Sequence, residues 1–269
     1  MRIAFTKMSG AGNDFILVDN RDGRVALTPV QVARLCRRQF GVGADGVLLL
    51  RPAADGAAEW AWDFYNSDGS TADMCGNGAR CFARFVRRAV GGEGPLTFAT
   101  GAGVITGTFD GERVTVNLTA PHGVRLDETV ATAAGPVAVH SINTGVPHAV
   151  VFVADADAAM VQERGRELRF HPHFGPRGTN VNFVQVLGHG AIRVRTYERG
   201  VEGETLACGT GVTAAALVSA RRHRWPAPVD VQVQGGDRLQ VEFGEDGGAF
   251  TDVRLTGPAT FVFEGMVEV

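Results

Sequence analysis

The sequence predicts a mixed α/β protein built from two similar halves, each mostly strands around one dominant helix. A Cys-Gly-x-Gly motif that opens a helical pattern occurs at Cys75 and again at Cys208, 133 residues later. The segments before and after the two cysteines also recur in the same order. This period is far too long for a solenoid, so it indicates a duplicated domain, with the boundary near residues 119–125.

In the first half, short apolar runs bounded by turn residues predict strands. These runs lie at residues 3–6, 15–18, 47–50, 61–65, 96–99, 104–109 and 114–118. Thr28-Pro29 is typical of a helix start, and we expect that helix to run on to Gly41. A second helix is predicted over 76–90 and closed by Gly91.

The second half repeats this order, with strands predicted at 149–152 and 181–186. Its helix is apolar almost all round over 212–218, which is typical of a fully buried helix. The corresponding helix of the first half carries a stripe of arginines instead, Arg80, Arg84 and Arg88. We therefore expect that helix to be buried on most sides with one face in water.

Composition excludes several classes of function. The net charge of −3 gives no basic surface for nucleic acid. The N-terminus lacks the apolar core of a signal peptide, and no apolar run approaches the ~20 residues of a membrane span. We expect a cytoplasmic protein that binds neither membrane nor nucleic acid. The oligomeric state is left open, with a homodimer as the candidate.

The remaining reactive side chains argue against a metal or pyridoxal phosphate. Cys36 and Cys81 lie within helical patterns and are interpreted as buried apolar residues. No Cys-x-x-Cys pair is present, and His171-Pro172-His173 is interpreted as a loop rather than a metal pair. Lys7 is the only lysine and has no phosphate-binding loop beside it. We expect neither a cofactor nor a metal.

Cys75 and Cys208 differ from the other cysteines because each stands at a helix start. The unpaired N–H groups and the helix dipole there favour negative charge and lower the pKa of a thiol. Two such thiols in matching places could face one carbon atom from opposite sides. One would remove its proton and the other would return a proton, which is a two-base racemisation. The helix N-termini would stabilise the charge that develops on a substrate carboxylate.

Around these cysteines the sequence resembles the diaminopimelate epimerase family over essentially its whole length. Seven motifs in order carry the resemblance: Lys7-Met8-x-Gly-x-Gly-Asn13-Asp14-Phe15, Asn66-x-Asp-Gly-Ser70, Cys75-Gly-Asn-Gly-Ala-Arg80-Cys81, Gly145-Val-Pro-His148, Gly178-Thr-Asn180-Val-Asn-Phe183, Tyr197-Glu198-Arg199-Gly200 and Gly203-Glu-Thr-x-Ala-Cys208-Gly-Thr210-Gly. The resemblance implies two α/β (α+β) domains, each a mostly antiparallel, barrel-like sheet around a central helix. We place them at 1–119 and 120–269, with the tail at about 260–269 expected to pack back on the first.

The resemblance also implies an activity and a site. The activity is cofactor-independent interconversion of LL- and meso-diaminopimelate in lysine and peptidoglycan precursor synthesis. Cys75 and Cys208 would be the acid–base pair, and His148 or Glu198 would tune them. The residues implied to bind substrate are Asn13, Asn66, Gly76, Asn77, Asn180, Glu198, Arg199, Gly209 and Thr210.

Three positions depart from the family pattern, and all three concern how substrate fits. Val146 stands where many members carry a substrate-contacting Asn, Gly46 replaces a Gln of some members, and the loop 200–203 is one residue longer. They keep a second hypothesis open, a cofactor-independent racemase of another amino acid such as histidine or hydroxyproline. A third hypothesis is an amino-acid-binding protein without catalysis.

Overall fold

A computed structural model of the protein describes residues 1–54 and 56–269. The chain divides into two compact units, one of residues 1–117 with 257–269 and one of residues 118–256. Strands and helices both contribute to each unit, so the predicted mixed α/β class is confirmed.

The first unit contains strands from both ends of the chain. Its elements are β1 (Arg2–Gly10), β2 (Asn13–Asp19), α1 (Pro29–Cys36), β3 (Gly46–Pro52), β4 (Trp60–Asn66), α2 (Gly76–Val90), β5 (Leu96–Thr100), β6 (Gly103–Asp110), β7 (Arg113–Asn117) and β17 (Thr260–Glu268). Strand β1 pairs antiparallel with β17 and β2, and β2 is parallel to β3. From there β4 is antiparallel to β3 and parallel to β5, and β5, β6 and β7 form an antiparallel meander.

Helix α1 begins where the sequence predicts but ends earlier. The Thr28 side chain accepts from the backbone of Gln31, and Gln31 reaches back in a capping box. The expected continuation to Gly41 is wrong, because the helix ends at Cys36 and the chain turns back on it. A Cβ at Gly41 would lie 2.2 Å from the carbonyl oxygen of Arg34, so the turn needs glycine at that position.

The two helices of this unit pack on alternating side chains of β2. Ile16 and Val18 share a core cluster with residues of α1. Phe15, on the opposite face of the strand, packs edge to face on Phe64 and lies next to Gly78 of α2. This alternation follows from the period of two along a strand, and it places the start of α2 close to the start of β2.

The second unit consists of one continuous segment of chain. Its elements are β8 (His122–Thr132), β9 (Gly135–Asn143), β10 (Pro147–Phe152), α3 (Val161–Arg169), β11 (Asn180–Gly188), β12 (Ala191–Glu198), β13 (Gly203–Thr205), α4 (Gly209–His223), β14 (Val229–Val233), β15 (Arg238–Asp246) and β16 (Ala249–Pro258), with a short 3₁₀ turn at Pro172–Phe174.

Strand pairing in this unit follows the same order as in the first. β9 lies antiparallel between β8 and β10, β10 is parallel to β11, and β11 is antiparallel to β12. β12 is parallel to β14, and β14, β15 and β16 form the meander. The position that β8 holds here is held by β17 in the first unit, where it pairs with β1.

Helix α4 matches its sequence prediction. It has 15 residues, as α2 has, and residues 211–220 are all buried. Helix α3 was not predicted, and it packs on the opposite face of the sheet through Val161 and Leu168. Gly165 in its middle has no room for a side chain, since a Cβ there would lie 2.5 Å from the Cβ of Tyr197.

Candidate functional site

Cys75 is the N-cap residue of α2. Its backbone is extended (φ −146°, ψ 119°), and its Sγ accepts a hydrogen bond from the backbone N–H of Gly78 at 3.5 Å. The side chain is half-buried, and the next two residues, Gly76 and Asn77, are buried. The backbone amides and dipole of the helix N-terminus favour a thiolate or a bound carboxylate here.

Asn13 lies beside this thiol and is held in one orientation. Its Oδ1 accepts from Cys75 Sγ at 3.5 Å and from Asn77 Nδ2 at 3.4 Å, while its Nδ2 donates to Asp45 Oδ2 at 2.6 Å. Because Oδ1 accepts from the thiol, Asn13 favours the protonated form, whereas the helix amides favour the thiolate. The opposed contacts suit a group that must both give and take a proton.

Asp45, which sequence reasoning missed, belongs to a cluster of charges with Asp14, Arg38 and Lys7. Lys7 lies 2.7 Å from Asp14 Oδ2 and donates to the carbonyl of Gly43, and Arg38 contacts both carboxylates. Burial raises the pKa of Asp14, but hydrogen bonds from Arg38 and Lys7 outweigh it and hold that pKa below its usual value. The ammonium of Lys7 is thus engaged within a charged network.

The arginine stripe of α2 faces water only in part: Arg88 is exposed, as expected, whereas Arg84 is only partly exposed and Arg80 is not exposed at all. Arg80 is fully buried and donates to the carbonyls of Gly76 and Pro258 and to Asn77 Oδ1. Arg84 donates to the carbonyl of Ala259. Residues distant in sequence therefore cover the first two arginines of the stripe, and the Arg80 bond to Asn77 ties the first turn of α2 to this covering segment.

Asn66 ends β4 directly opposite Gly46 of β3. Its Nδ2 donates to Ser70 Oγ at 3.0 Å, and its backbone N–H donates to the Ser70 carbonyl. A Cβ at Gly46 would lie 2.7 Å from the carbonyl oxygen of Tyr65. The backbone at this departure from the family pattern therefore leaves no room for a longer side chain without a shift.

Cys208 holds the matching place in the second unit as the N-cap residue of α4. Its backbone is extended (φ −113°, ψ 110°), and it is 5% exposed. Its Sγ lies 3.5 Å from the hydroxyl of Thr210, and the Thr210 carbonyl accepts from Thr144 Oγ1 at 3.0 Å. The thiol and the first-turn amides of Gly209 and Thr210 again share a helix N-terminus.

Asn180 is buried and uses its side chain to hold backbone. Its Oδ1 accepts from the backbone N–H of Arg199 at 2.8 Å, and its Nδ2 donates to the carbonyl of Pro147 at 3.3 Å. Asn180 thereby joins the start of β10 to the turn after Glu198. Burial lowers the pKa of the half-buried Arg199, and the neighbouring guanidinium groups of Arg169 and Arg177 lower it further.

His148 is buried beside Asn180 in the β10–β11 pairing and is neutral. Burial lowers its pKa to about 3, with a further contribution from the charge of Arg199. Asn182 Nδ2 lies 3.2 Å from His148 Nδ1, and His148 Nε2 is buried without a hydrogen-bond partner among the described residues. At neutral pH His148 supplies no positive charge to a thiolate.

Asn182 is a second residue that sequence reasoning missed. It is fully buried, its Nδ2 also donates to the carbonyl of Ala149 at 3.0 Å, and its Oδ1 accepts from Thr196 Oγ1 at 3.0 Å. It lies directly under Gly211, in the first turn of α4. Only the pairing of β11 with its neighbours brings it there, and no spacing in the sequence signals it.

We expect the burial of His148 to make stability depend on pH. Its pKa is about 3 in the folded protein and 6.5 in a solvated histidine. Below pH ~6.5 the unfolded chain binds a proton that folded His148 does not, so this contribution to the free energy of unfolding falls as pH falls. Between pH 7 and 5 the wild type should lose about 2 kcal/mol more than His148→Gln.

Urea denaturation of both proteins at the two pH values measures this difference. His148→Gln should show the shallower loss, and His122→Gln, at an exposed histidine of β8, should behave as the wild type. Parallel losses in all three proteins would mean that His148 is protonated in the folded state.

The structure separates the predicted residues into groups. Asn13 contacts both Cys75 and Asn77, while Asn66 bonds to its own turn. Asn180 contacts Arg199, and Cys208 contacts Thr210. These contacts define a cysteine at a helix N-terminus in each unit, with polar side chains close by.

The other predicted roles concern cysteines and histidines outside these groups. Cys36 and Cys81 are buried, and burial raises the pKa of each thiol to about 12. His171 contacts the Ala131 carbonyl at 3.0 Å, and His173 contacts Glu128 at 3.3 Å.

Over residues 1–54 and 56–269 there is no group of three or more side chains suited to hold a metal ion. In the same part of the chain no helix is long and apolar enough to cross a membrane.

Two solved structures share the fold of this chain. A phenazine biosynthesis protein of the PhzF family from Bacillus anthracis covers 100% of both chains with a TM-score of 0.77 at 16% identity. A hydroxyproline epimerase from Agrobacterium vitis covers 99% of this chain and 91% of its own with a TM-score of 0.72 at 19% identity. The fold is that of the racemase, epimerase and PhzF-type proteins.

Sequence comparison identifies the family. The model of the diaminopimelate epimerase family matches residues 5–124 and 140–262. Diaminopimelate epimerases from Aquifex aeolicus and a Hydrogenobaculum strain are 44% and 43% identical, each over 97% of this chain and 96% and 97% of their own. The chain belongs to the diaminopimelate epimerase family.

Proposed function

We propose that this protein interconverts LL- and meso-diaminopimelate by proton transfer between the α-carbon and two cysteines. The observation that carries the proposal is that helices α2 and α4 are equivalent, in a chain of the diaminopimelate epimerase family. Each begins with Gly after an N-cap cysteine, and each has 15 residues. The placement of a thiol at a helix N-terminus suits a weakly acidic carbon substrate with a carboxylate beside the reacting carbon.

In the proposed reaction one cysteine is a thiolate and the other a thiol. The thiolate takes the α-proton, so the C–H bond breaks, an S–H bond forms, and the electron pair stays on carbon and spreads into the carboxylate. The thiol of the second cysteine then protonates the opposite face. Cys75 and Cys208 exchange roles when the reaction runs in reverse, as microscopic reversibility requires.

The amides of Gly76 and Asn77 and those of Gly209 and Thr210 would hold the carboxylate as charge develops on it. Asn13 accepts a hydrogen bond from the Cys75 thiol at 3.5 Å, and this bond would be lost when the thiol gives up its proton. Arg199 supplies a guanidinium and Glu198 a carboxylate for the charged ends of a substrate that has two amino-acid groups. Asn180 acts mainly by holding Arg199, and Asn66 remains a proposed substrate contact.

The proposed reaction uses neither pyridoxal phosphate nor a metal. A Schiff base would require Lys7, the only lysine of the chain. Lys7 is 5% exposed and its ammonium lies 2.7 Å from Asp14, so forming a Schiff base would break a buried ion pair.

Incubation of the wild-type protein with LL-diaminopimelate in D₂O tests this function. Without added pyridoxal phosphate, and with a metal chelator present, we expect meso product and deuterium at the α-position, measured by chiral chromatography and mass spectrometry. Exchange into histidine or hydroxyproline but not diaminopimelate would support a different racemase. Binding of diaminopimelate without exchange would support a non-catalytic binding protein.

The homodimer and the cytoplasmic location expected from the sequence stay predictions. Strand β17 presents partly exposed apolar side chains, Val262, Phe263 and Met266, which a second copy could cover.

A further inference from the structure

Arg169, the last residue of α3, connects two separate segments of the second unit. Its Nη1 donates to the backbone carbonyl of Arg177 at 3.2 Å. Its Nε and Nη2 donate to Glu202 Oε1 at 3.2 and 2.9 Å. The Arg169 side chain is 13% exposed and that of Glu202 is 37% exposed, so the guanidinium is largely buried while its carboxylate partner remains in contact with solvent.

Both connected segments lead directly to proposed substrate-binding residues. The segment at Arg177 continues through Gly178 to Asn180, and a Cβ at Gly178 would lie 2.1 Å from Arg169 Nη1. The segment at Glu202 is the turn after Arg199, and the Glu202 carboxylate also accepts from the backbone N–H of Gly200 at 3.0 Å. Arg169 therefore stabilises this turn through Glu202, while Asn180 holds it through the backbone N–H of Arg199.

The charge balance at this turn leaves Arg199 available for a ligand. No carboxylate forms an ion pair with the Arg199 guanidinium among the described residues, and Arg169 and Arg177 act on it as like charges. Glu202 is the nearby acidic group, and Arg169 holds it through two hydrogen bonds. A half-buried guanidinium in this setting favours a substrate carboxylate as its partner.

We propose that Arg169 is a positioning residue that fixes the turn bearing Arg199 and keeps Glu202 engaged, so that Arg199 binds a substrate carboxylate. This inference rests on the proposed function, because it assigns a role within the same site. Arg169 acts through geometry as well as charge. Its fork of donors reaches a carboxylate and a backbone carbonyl at once, which a lysine ammonium does not reproduce.

Steady-state kinetics of Arg169→Lys and Arg169→Gln with LL-diaminopimelate separate the two contributions. We expect the KM to rise about tenfold in both variants, with kcat within about twofold of wild type, since charge-assisted hydrogen bonds that orient the binding group are lost. If Arg169→Lys keeps the wild-type KM, charge alone suffices and the proposal is overturned. Wild-type turnover in the same assay shows independently whether the proposed function holds.

Arg195→Lys is a matched control. Arg195 bonds Glu204 through Nε and Nη2 at 2.6 and 2.7 Å and the Ala156 carbonyl through Nη1 at 3.0 Å. It is 14% exposed and lies on the same β12–β13 hairpin, and these hydrogen bonds go to residues outside the turn at 199–202. We expect Arg195→Lys to lose stability to a similar extent while its KM stays at the wild-type value.

A double-mutant cycle distinguishes positioning from general destabilisation. In an Arg199→Gln background, which should already raise the KM, adding Arg169→Lys should raise it less than twofold further. Independent, multiplying effects of the two substitutions on KM would show that Arg169 does not act through Arg199, and would overturn the proposal.

Discussion

Alanine in place of either Cys75 or Cys208 is expected to reduce epimerisation by about 10²–10⁴-fold. Each variant loses one of the two groups that exchange a proton with the α-carbon, and a positioned acid or base contributes about 10²–10⁴-fold. The measurement is conversion of LL- to meso-diaminopimelate by chiral chromatography. Any remaining deuterium exchange should be confined to one stereoisomer, because the surviving cysteine reaches one face of the carbon.

Cys36→Ala provides the control for loss of a thiol. Cys36 is buried, and burial raises its pKa to about 12, so it is not an acid–base group near neutral pH. This variant should keep wild-type kcat after a modest loss of stability from the cavity. Substantial turnover by Cys75→Ala or Cys208→Ala would exclude the two-cysteine mechanism while leaving the family membership unaffected.

The second large effect is expected from Gly211→Ala in the first turn of α4. The new Cβ would lie 2.4 Å from Asn182 Oδ1 and 3.3 Å from Cys208 Cβ. Asn182 cannot yield easily, because it is fully buried and hydrogen-bonded on both ends of its amide. We expect a loss of about 1–3 kcal/mol in the free energy of unfolding. We also expect about a hundredfold loss in kcat as the Cys208 thiol is displaced.

Gly78→Ala is the matched control because Gly78 holds the same position in α2. The nearest atom to a Cβ there is Phe15 Cζ at 3.4 Å, an ordinary contact. Alanine also favours a helix over glycine by up to about 1 kcal/mol, so stability should stay level or rise. Urea denaturation and kcat measured together test the contrast. Equal behaviour of the two variants would mean that the first turn of α4 is not tightly packed on Asn182.

The sequence predicts the two central helices well because their signals are local. A cysteine cap, two glycines and a closing Gly91 define α2, and the structure has it over Gly76–Val90. Helix α3 gives a weak local signal, since its nine residues include five charges and an internal glycine. Gly165 is present because Tyr197 packs against it, which is a fact of tertiary structure.

The same contrast between local signals and tertiary contacts applies to the residues of the site. Cysteines at helix starts can be read from sequence, since the helix itself supplies the chemistry. The supporting residues cannot, because Asp45 and Asn182 reach the site only through strand register. The arginine stripe of α2 misleads for the same reason. Two of its three arginines, Arg80 and Arg84, are covered by the carbonyls of Pro258 and Ala259, which lie more than 170 positions further along the chain.

The late position of these covering residues in the chain affects the order in which the two units fold during synthesis. Chains are synthesised from the N-terminus at about 5–20 residues per second, and domains generally fold in that order. Here β17, the partner of β1, emerges only after the entire second unit has been made. Until then the guanidinium of Arg80 lacks its Pro258 acceptor and one side of β1 is unpaired. The later-made unit can complete its sheet first, and the half that carries Cys75 matures only after the chain segment after Thr256 has emerged.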